Sequence, residues 1–357
     1  MTKKFFNTNR LHIEALCSVS PSQTIEVVKE DSSDKIKRMS RSIGIKSKYV
    51  CGPGQRFATL GEEGVNWIIS KLGLRADDID GIIVVTQSPD YIIPGTAVLL
   101  QDRCRLSKNT LAYDINLGCS GMPYGIFAAY GHLLAGMKRV LVVVGDQSYS
   151  PGTTDEGHGV LFGDGASVAS VVLKDSKEHA EGKFAPGTDG GGYEALYIPH
   201  GGKVRPVDIE SFVAKVDITG VVRTGTDVIL DGPKIHNFSV GLVPGELSDI
   251  CAALNWEVGD VDYFVLHQAN KMINDTIRMK MKLPLEKFPE SLSDFGNTSS
   301  ASAPVTMTAR LDGIWNKAGV KTIICTFGIG LSWSTLAYVA DGTEISHHYY
   351  VSGGLKF

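Results

Sequence analysis

Residues 114–125 read DINLGCSGMPYG, setting one cysteine, Cys119, between Gly118 and Ser120 where a short apolar stretch gives way to a long amphipathic one. LAYDINL reads as a strand and SGMPYGIFAAYGHLLAG as a helix that is apolar around much of its circumference, so the Gly-Cys-Ser-Gly turn puts the sulfur at a helix amino terminus. Unpaired N–H groups and the helix dipole favour a thiolate there. A free thiol with a pKa of ~8.5 is only slightly ionised at neutral pH, and a fall of about two units would make it mostly thiolate. A lone buried cysteine also has a purely structural reading, but two further side chains argue for chemistry. His267 in FVLHQAN ends a Val/Leu strand, and Asn297 in DFGNTSSASAP lies in a small-residue turn ahead of the helix-like TMTARLDGIW. Each alone is an ordinary core histidine or turn asparagine.

Together the three suit a thioester. The Cys119 thiolate takes an acyl group by transthioesterification, and the histidine and asparagine supply two N–H donors to the enolate formed when a malonyl thioester loses carbon dioxide. Attack of that carbanion on the acyl-cysteine forms a carbon–carbon bond. Backbone N–H groups at Cys119 and at Ile329, in the FGIGLS turn, are the expected oxyanion hole.

The elements that must position these residues repeat. DDIDGIIVVTQ (77–87) is similar to GDVDYFVLHQ (259–268), and GMKRVLVVVGDQ (136–147) to GVKTIICTFGIG (319–330). Asp80 to Asp262 is a shift of 182 and Gly145 to Gly328 one of 183. Val/Ile runs between amphipathic stretches indicate an α/β protein, and matching order and spacing indicate duplication. The expected division is residues 1–175 as a first half carrying the nucleophile, 176–219 as a connecting excursion, and 220–357 as a second half carrying His267 and Asn297, with a short tail. Equivalent strand ends then converge where open α/β sheets bind ligands.

The 357 residues suffice for large cores. A net charge of −4 gives no general attraction to nucleic acid or to an anionic membrane. The amino terminus lacks the apolar core and cleavage site of a signal peptide, and no stretch approaches the roughly 18 apolar residues of a membrane span. Six scattered cysteines without ligand-like spacing support neither a zinc site nor a disulfide framework. The expectation is a cytoplasmic protein with reduced thiols and no metal.

GCSG (118–121), LFGDGA (161–166), HQAN (267–270), FGNTSSAS (295–302) and FGIGLSW (327–333), in that order, resemble the β-ketoacyl-acyl carrier protein synthase III family of the thiolase superfamily, over about residues 10–341. The resemblance implies the five-layered αβαβα thiolase-like fold of two duplicated α/β halves, a homodimer, catalysis by Cys119, His267 and Asn297, and an acyl carrier protein and a malonyl thioester as partners. It implies no permanently bound cofactor, the acyl thioesters of CoA or of carrier-protein phosphopantetheine being substrates. The function expected is decarboxylative condensation, of the kind used in fatty acid and polyketide biosynthesis, in a specialised pathway such as polysaccharide decoration or secondary-metabolite assembly rather than in housekeeping fatty-acid initiation. An acyltransferase that makes an ester or amide on the same scaffold, in a specialised pathway, is the alternative, and there the role of Asn297 would be idle.

Departures from the family concern the donor and the primer. The positions that hold the CoA nucleotide in acetyl-CoA-using members fall on Arg38 and Ser42. A second family arginine falls on Glu156, whose charge would repel phosphate, and a pantetheine-contacting asparagine falls near Pro233. A carrier-protein donor is therefore expected. In the acyl pocket, Ile93 takes the place of a bulky residue that reaches across the dimer, and Leu331 that of a phenylalanine, leaving more room for the primer. Lys271, Arg278 and Lys282, spaced seven and four apart, form one side of a helix that starts beside His267. They are the expected docking face for an acidic carrier, a solvated helix face being the other reading.

Overall fold

The computed structural model describes residues 3–148, 155–174 and 182–351. Two sheets carry the fold. One has six strands in the order Ile345–Tyr350, Leu11–Ser20, Gly165–Leu173, Arg139–Asp146, Gly81–Val85 and Leu111–Ile115. The other has five: Phe6–Asn7, Lys183–Thr188, Ser332–Val339, Lys321–Gly328 and Tyr263–Leu266.

Side-chain alternation along the strands builds the layers. In Arg139–Asp146, Val140, Val142 and Val144 face a core shared with the helices Gly121–Leu134 and Ser302–Arg310, while Leu141 and Val143 face a second core under the helices Phe57–Leu72 and Thr96–Arg103. In Lys321–Gly328, Ile324 joins the shared core, and Ile323 and Cys325 join a third under Gly232–Ala253 and Lys271–Met281. The result is helix, sheet, helix, sheet, helix. Gly121–Leu134 is apolar on most sides because it lies between the sheets, and Gly121 and Gly125 let it close on the strand Gly81–Val85. A Cβ at Gly121 would lie 2.4 Å from Val85 Cγ1.

Duplication is visible in the backbone register. Gly81 pairs with Val140 and Tyr263 with Thr322, both parallel and both displaced by 182 residues. Asp80 N donates to Arg139 O and Asp262 N to Lys321 O, each at 3.0 Å, and in each half the aspartate carboxylate accepts a backbone N–H from the neighbouring strand. Gly145 and Gly328 share φ near +150°, at 153° and 152°.

The division into segments needs two corrections. Lys183–Thr188, placed in the excursion, is an interior strand of the five-stranded sheet, paired antiparallel to Ser332–Val339. Its Phe184 and Ala185 are buried there, which removes it from the solvent-exposed loop that its glycines suggest. The tail strand Ile345–Tyr350 joins the other half's sheet, parallel to Leu11–Ser20. The boundary at 175/176 and the chain ends lie outside the described residues.

His348 fastens this tail. Its Nε2 meets Ser20 Oγ at 2.9 Å and its Nδ1 meets Thr308 Oγ1 at 3.1 Å, joining strand, tail and a second-half helix. Burial pushes its pKa down to about 4, with His347 and Arg310 adding to the effect. The unfolded chain therefore binds a proton below about pH 6.5 that the folded one refuses, so this residue makes stability fall as pH drops from 6.5 towards 4. His348→Ala is expected to cost about 2–4 kcal/mol in denaturant unfolding at pH 7.5, and to flatten the loss of stability between pH 6.5 and 4.5. An unchanged midpoint at both pH values would contradict this role.

Candidate active site

Cys119 lies just ahead of the helix Gly121–Leu134 and is 6 % exposed. The turn is tied to the opposite sheet. Ser120 Oγ and Ser332 Oγ meet at 2.7 Å, and Ser120 O accepts from Ser334 Oγ at 2.7 Å and Thr326 Oγ1 at 3.1 Å. Gly328, at the end of its strand, runs directly beside the sulfur. A Cβ there would lie 3.2 Å from Cys119 Sγ, and its φ of 152° excludes most other residues.

The Ser299 hydroxyl lies between the sulfur and the Asp146 carboxylate, and the backbone N–H groups of Ile329 and of Cys119 itself face the sulfur. These contacts do not produce the low-pKa thiol expected from the sequence. Burial pushes Cys119 up to about 11 and the nearby Asp146 carboxylate adds to the push, against which the three donors only partly act. The correction has a simple cause, since removing water from the thiolate costs more than a helix end and three hydrogen bonds return.

His267 and Asn297 are joined to this sulfur through one short segment. Asn297 is 4 % exposed, and its Oδ1 accepts from Ser299 N at 2.9 Å. With that oxygen engaged, the NH2 group is what the side chain offers to a substrate. His267 is 2 % exposed, its ring edge-on to Phe327, with Nδ1 2.7 Å from Ser302 Oγ. Ser302 Oγ also accepts from Gln268 N at 3.3 Å, and the tautomer that suits a donor role for Nε2 has the Ser302 proton on the Nδ1 side. Burial pulls His267 down to about 3, leaving a neutral ring. Ser299 and Ser302 were not singled out in the sequence. Their signal was the run of small hydroxyl residues after Asn297, which resembles a simple turn.

A cavity of 620 Å³ opens onto Cys119, lined among others by Asn116, Asp146, His158, Phe162, Ser299 and Ile329. A second of 970 Å³ shares His158, Phe162 and Val228 with it. His267 and Asn297 are not on the wall of the first. Neither proposed primer-pocket residue lines it within the chain. Ile93 is 83 % exposed beside exposed Tyr91 and Ile92, and Leu331 pairs in both directions with the Asp189 backbone while its side chain packs on Gly192.

Arg38 and Ser42 are exposed on the helix Asp34–Ile43. Glu156 is paired with Lys35 at 2.9 Å on the exposed surface. Pro233 opens the helix Gly232–Ala253 and lines the larger cavity. Arg223, on the same wall, is held by Asp155 and Asp217. Of the basic stripe, Lys271 pairs with Asp275 and Glu290, and Arg278 is only partly exposed and near Asp275. Lys282 caps the helix and is exposed.

Among the described residues one set of potential metal ligands comes together, His12, Asp341 and Glu344. Glu344 accepts from Tyr338 and from two backbone N–H groups, and Asp341 from Lys174 and Thr343, so these carboxylates serve an internal network. Among the described residues no helix is long and apolar enough to cross a membrane.

A family model for 3-oxoacyl-[acyl-carrier-protein (ACP)] synthase III matches residues 113–190, and the model of that enzyme's C-terminal part matches residues 251–339. The chain is 32% identical to the beta-ketoacyl-[acyl-carrier-protein] synthase III of Streptococcus agalactiae over 91% of this chain and 97% of that one. It is 31% identical to the enzyme of the same name from Caldanaerobacter subterraneus over 85% and 89%. The crystal structure of 3-oxoacyl-(acyl-carrier protein) synthase from Burkholderia xenovorans superimposes with a TM-score of 0.89 at 28% identity, covering 98% of this chain and 99% of that one.

The protonation states are open to direct measurement. With the thiol pushed up to about 11, alkylation of Cys119 by iodoacetamide, followed by peptide mass, is expected to rise about tenfold per pH unit from 7 to 10. A plateau beginning near pH 7 would show a thiolate in the resting site.

Proposed function

The chain belongs to the 3-oxoacyl-[acyl-carrier-protein] synthase III family and is a condensing acyltransferase, and on that premise we propose that Cys119 carries the acyl group while His267 and Asn297 hold the enolate. The observation that supports this most is the convergence of the Cys119 and Ile329 N–H groups on the sulfur, beside the segment that fixes Asn297 and His267.

In the first half-reaction the sulfur attacks the thioester carbonyl, the two N–H groups take the oxyanion, and the carrier thiol leaves with the proton that Cys119 loses. In the second, a malonyl thioester loses carbon dioxide. Its developing enolate oxygen takes hydrogen bonds from His267 Nε2–H and the Asn297 NH2. The carbanion attacks the acyl-cysteine, and collapse of the adduct breaks the carbon–sulfur bond, releasing a 3-oxoacyl thioester two carbons longer and the Cys119 thiolate, which takes a proton from solvent. Neutral donors suit this step. An imidazolium would hold the malonyl carboxylate and oppose its loss as carbon dioxide, whereas a neutral N–H stabilises mainly the charge that develops on the oxygen. His267, pulled down to about 3, is neutral throughout the working range.

The acyl group is proposed to arrive on a carrier protein rather than on CoA. Lys35 and Arg223, the cations on the wall of the larger cavity, are both paired with carboxylates. Lys282 is then the side chain of the basic stripe left open to an acidic carrier. The exposed apolar run of Tyr91, Ile92 and Ile93 fits burial against a second copy in a homodimer. The enzyme is proposed to act in the cytoplasm on free substrates, with no resident cofactor.

Intact-protein mass after exposure to acyl-CoA and acyl-carrier-protein panels tests the assignment. Cys119→Ala is expected to abolish loading. Asn297→Ala should retain loading within a few-fold but slow carbon dioxide release by about 10²-fold or more. Normal condensation by either variant would refute these roles, and efficient loading from CoA would refute the donor. A loaded enzyme that ignores malonyl-carrier protein but acylates an alcohol or amine would establish ester or amide synthesis instead.

A further inference from the structure

Asp146 ends the strand Arg139–Asp146, is 3 % exposed, and lines the cavity that opens onto Cys119. Its two oxygens are treated very differently. Oδ1 accepts from Gln87 N at 2.7 Å, Thr86 Oγ1 at 2.9 Å, Ser88 Oγ at 3.0 Å and Ser88 N at 3.1 Å. Ser88 Oγ is itself fixed by Gln147 N at 2.8 Å. Oδ2 is buried and makes no hydrogen bond of its own, the Ser299 hydroxyl lying beside the carboxylate, and burial raises the Asp146 pKa above the usual carboxylate value. Holding one carboxylate oxygen so firmly while leaving the other empty is costly for an apoprotein, because an unsatisfied buried acceptor forfeits its hydration, and more so when charged. The cost is recovered if a ligand supplies the donor. The surrounding wall is suited to such a ligand, since Gln87, Ser88, Asn116, Gln147 and Ser148 line the same cavity.

We propose that the primer carries a hydrogen-bond donor, a hydroxyl or an amino group close to its thioester carbonyl, and that Asp146 Oδ2 receives it. This rests on the loading of Cys119 proposed above and adds the class of acyl group. An unsubstituted alkyl chain would bury Oδ2 without replacing its water, and a second carboxylate on the primer would meet a like charge. The position has a further effect on the nucleophile. The Asp146 charge helps to keep Cys119 protonated; a protonated amino group on the primer would offset that charge and make the thiol easier to ionise, whereas a neutral hydroxyl would leave it in place.

The test is loading of Cys119, read by intact mass, from matched thioesters of N-acetylcysteamine and of carrier protein: butyryl, 2-, 3- and 4-hydroxybutyryl in both hands where chiral, and 3-aminobutyryl. At least one substituted primer is expected to load with a kcat/KM about tenfold or more above butyryl. In Asp146→Asn, which keeps an acceptor for the four donors but puts an NH2 group in place of Oδ2, that ratio should fall to about one or below. The hydroxy and amino arms identify which donor is bound. Equal or better loading of butyryl by the wild type, or a preference that survives in Asp146→Asn, overturns the inference while leaving the condensing mechanism intact. Failure of every thioester to load Cys119 overturns both. The wild-type ratio decides the matter even if the variant does not fold.

Discussion

The six residues from Asn297 to Ser302 hold the site together through hydrogen bonds that leave little freedom. Ser299 N–H fixes the asparagine carboxamide, the Ser299 hydroxyl meets the sulfur, and the Ser302 hydroxyl orients the imidazole. The segment is itself anchored from the other half, since Asn297 N donates to Leu161 O and Asn297 O accepts from Gly163 N. Three reacting groups from distant parts of the chain thus share one support, and a shift of that support would move all of them at once. Such preorganisation is what allows neutral N–H donors to stabilise charge that exists only during reaction.

Burial then decides the state of those groups. Cys119 and His267 are both forced towards their uncharged forms, one upwards and one downwards, because neither thiolate nor imidazolium finds enough compensation at this depth. A protonated thiol and a neutral imidazole make an unreactive resting arrangement. Reactivity must come with the substrate, whose carbonyl takes over the N–H groups that otherwise face the sulfur. The same environment makes the empty oxygen of Asp146 informative, as in water it would be unremarkable.

Much of this was legible in the residues, in a way that depended on range. Asp80 and Asp262 mark equivalent strand starts because each caps its neighbouring strand through the backbone, a local device that leaves a local signature. Cys119, His267 and Asn297 were recognisable by type and neighbours. Their protonation was not, because it follows from packing by segments far away in sequence. The helix bearing Lys271 and Arg278 has the expected spacing, but Asp275, one turn on, and Glu290, from a later loop, take up the charge. The tail ISHHYY carries no local sign of its place in the fold. Its parallel partner lies at the opposite end of the chain, and its half-buried histidines meet Ser20, Thr308 and Trp67.

That pairing has a consequence for biosynthesis. Leu11–Ser20 is flanked on one side by Gly165–Leu173 and on the other by Ile345–Tyr350, whose first residue follows Leu11 by 334 positions. At ~10 residues per second, a ribosome takes about half a minute to deliver the second neighbour after the first of these residues is made. Throughout that interval an apolar strand edge is open to pairing with other nascent chains. Polysomes translating this message therefore carry many copies of the same unprotected edge side by side, which makes this strand the natural point for a chaperone to engage.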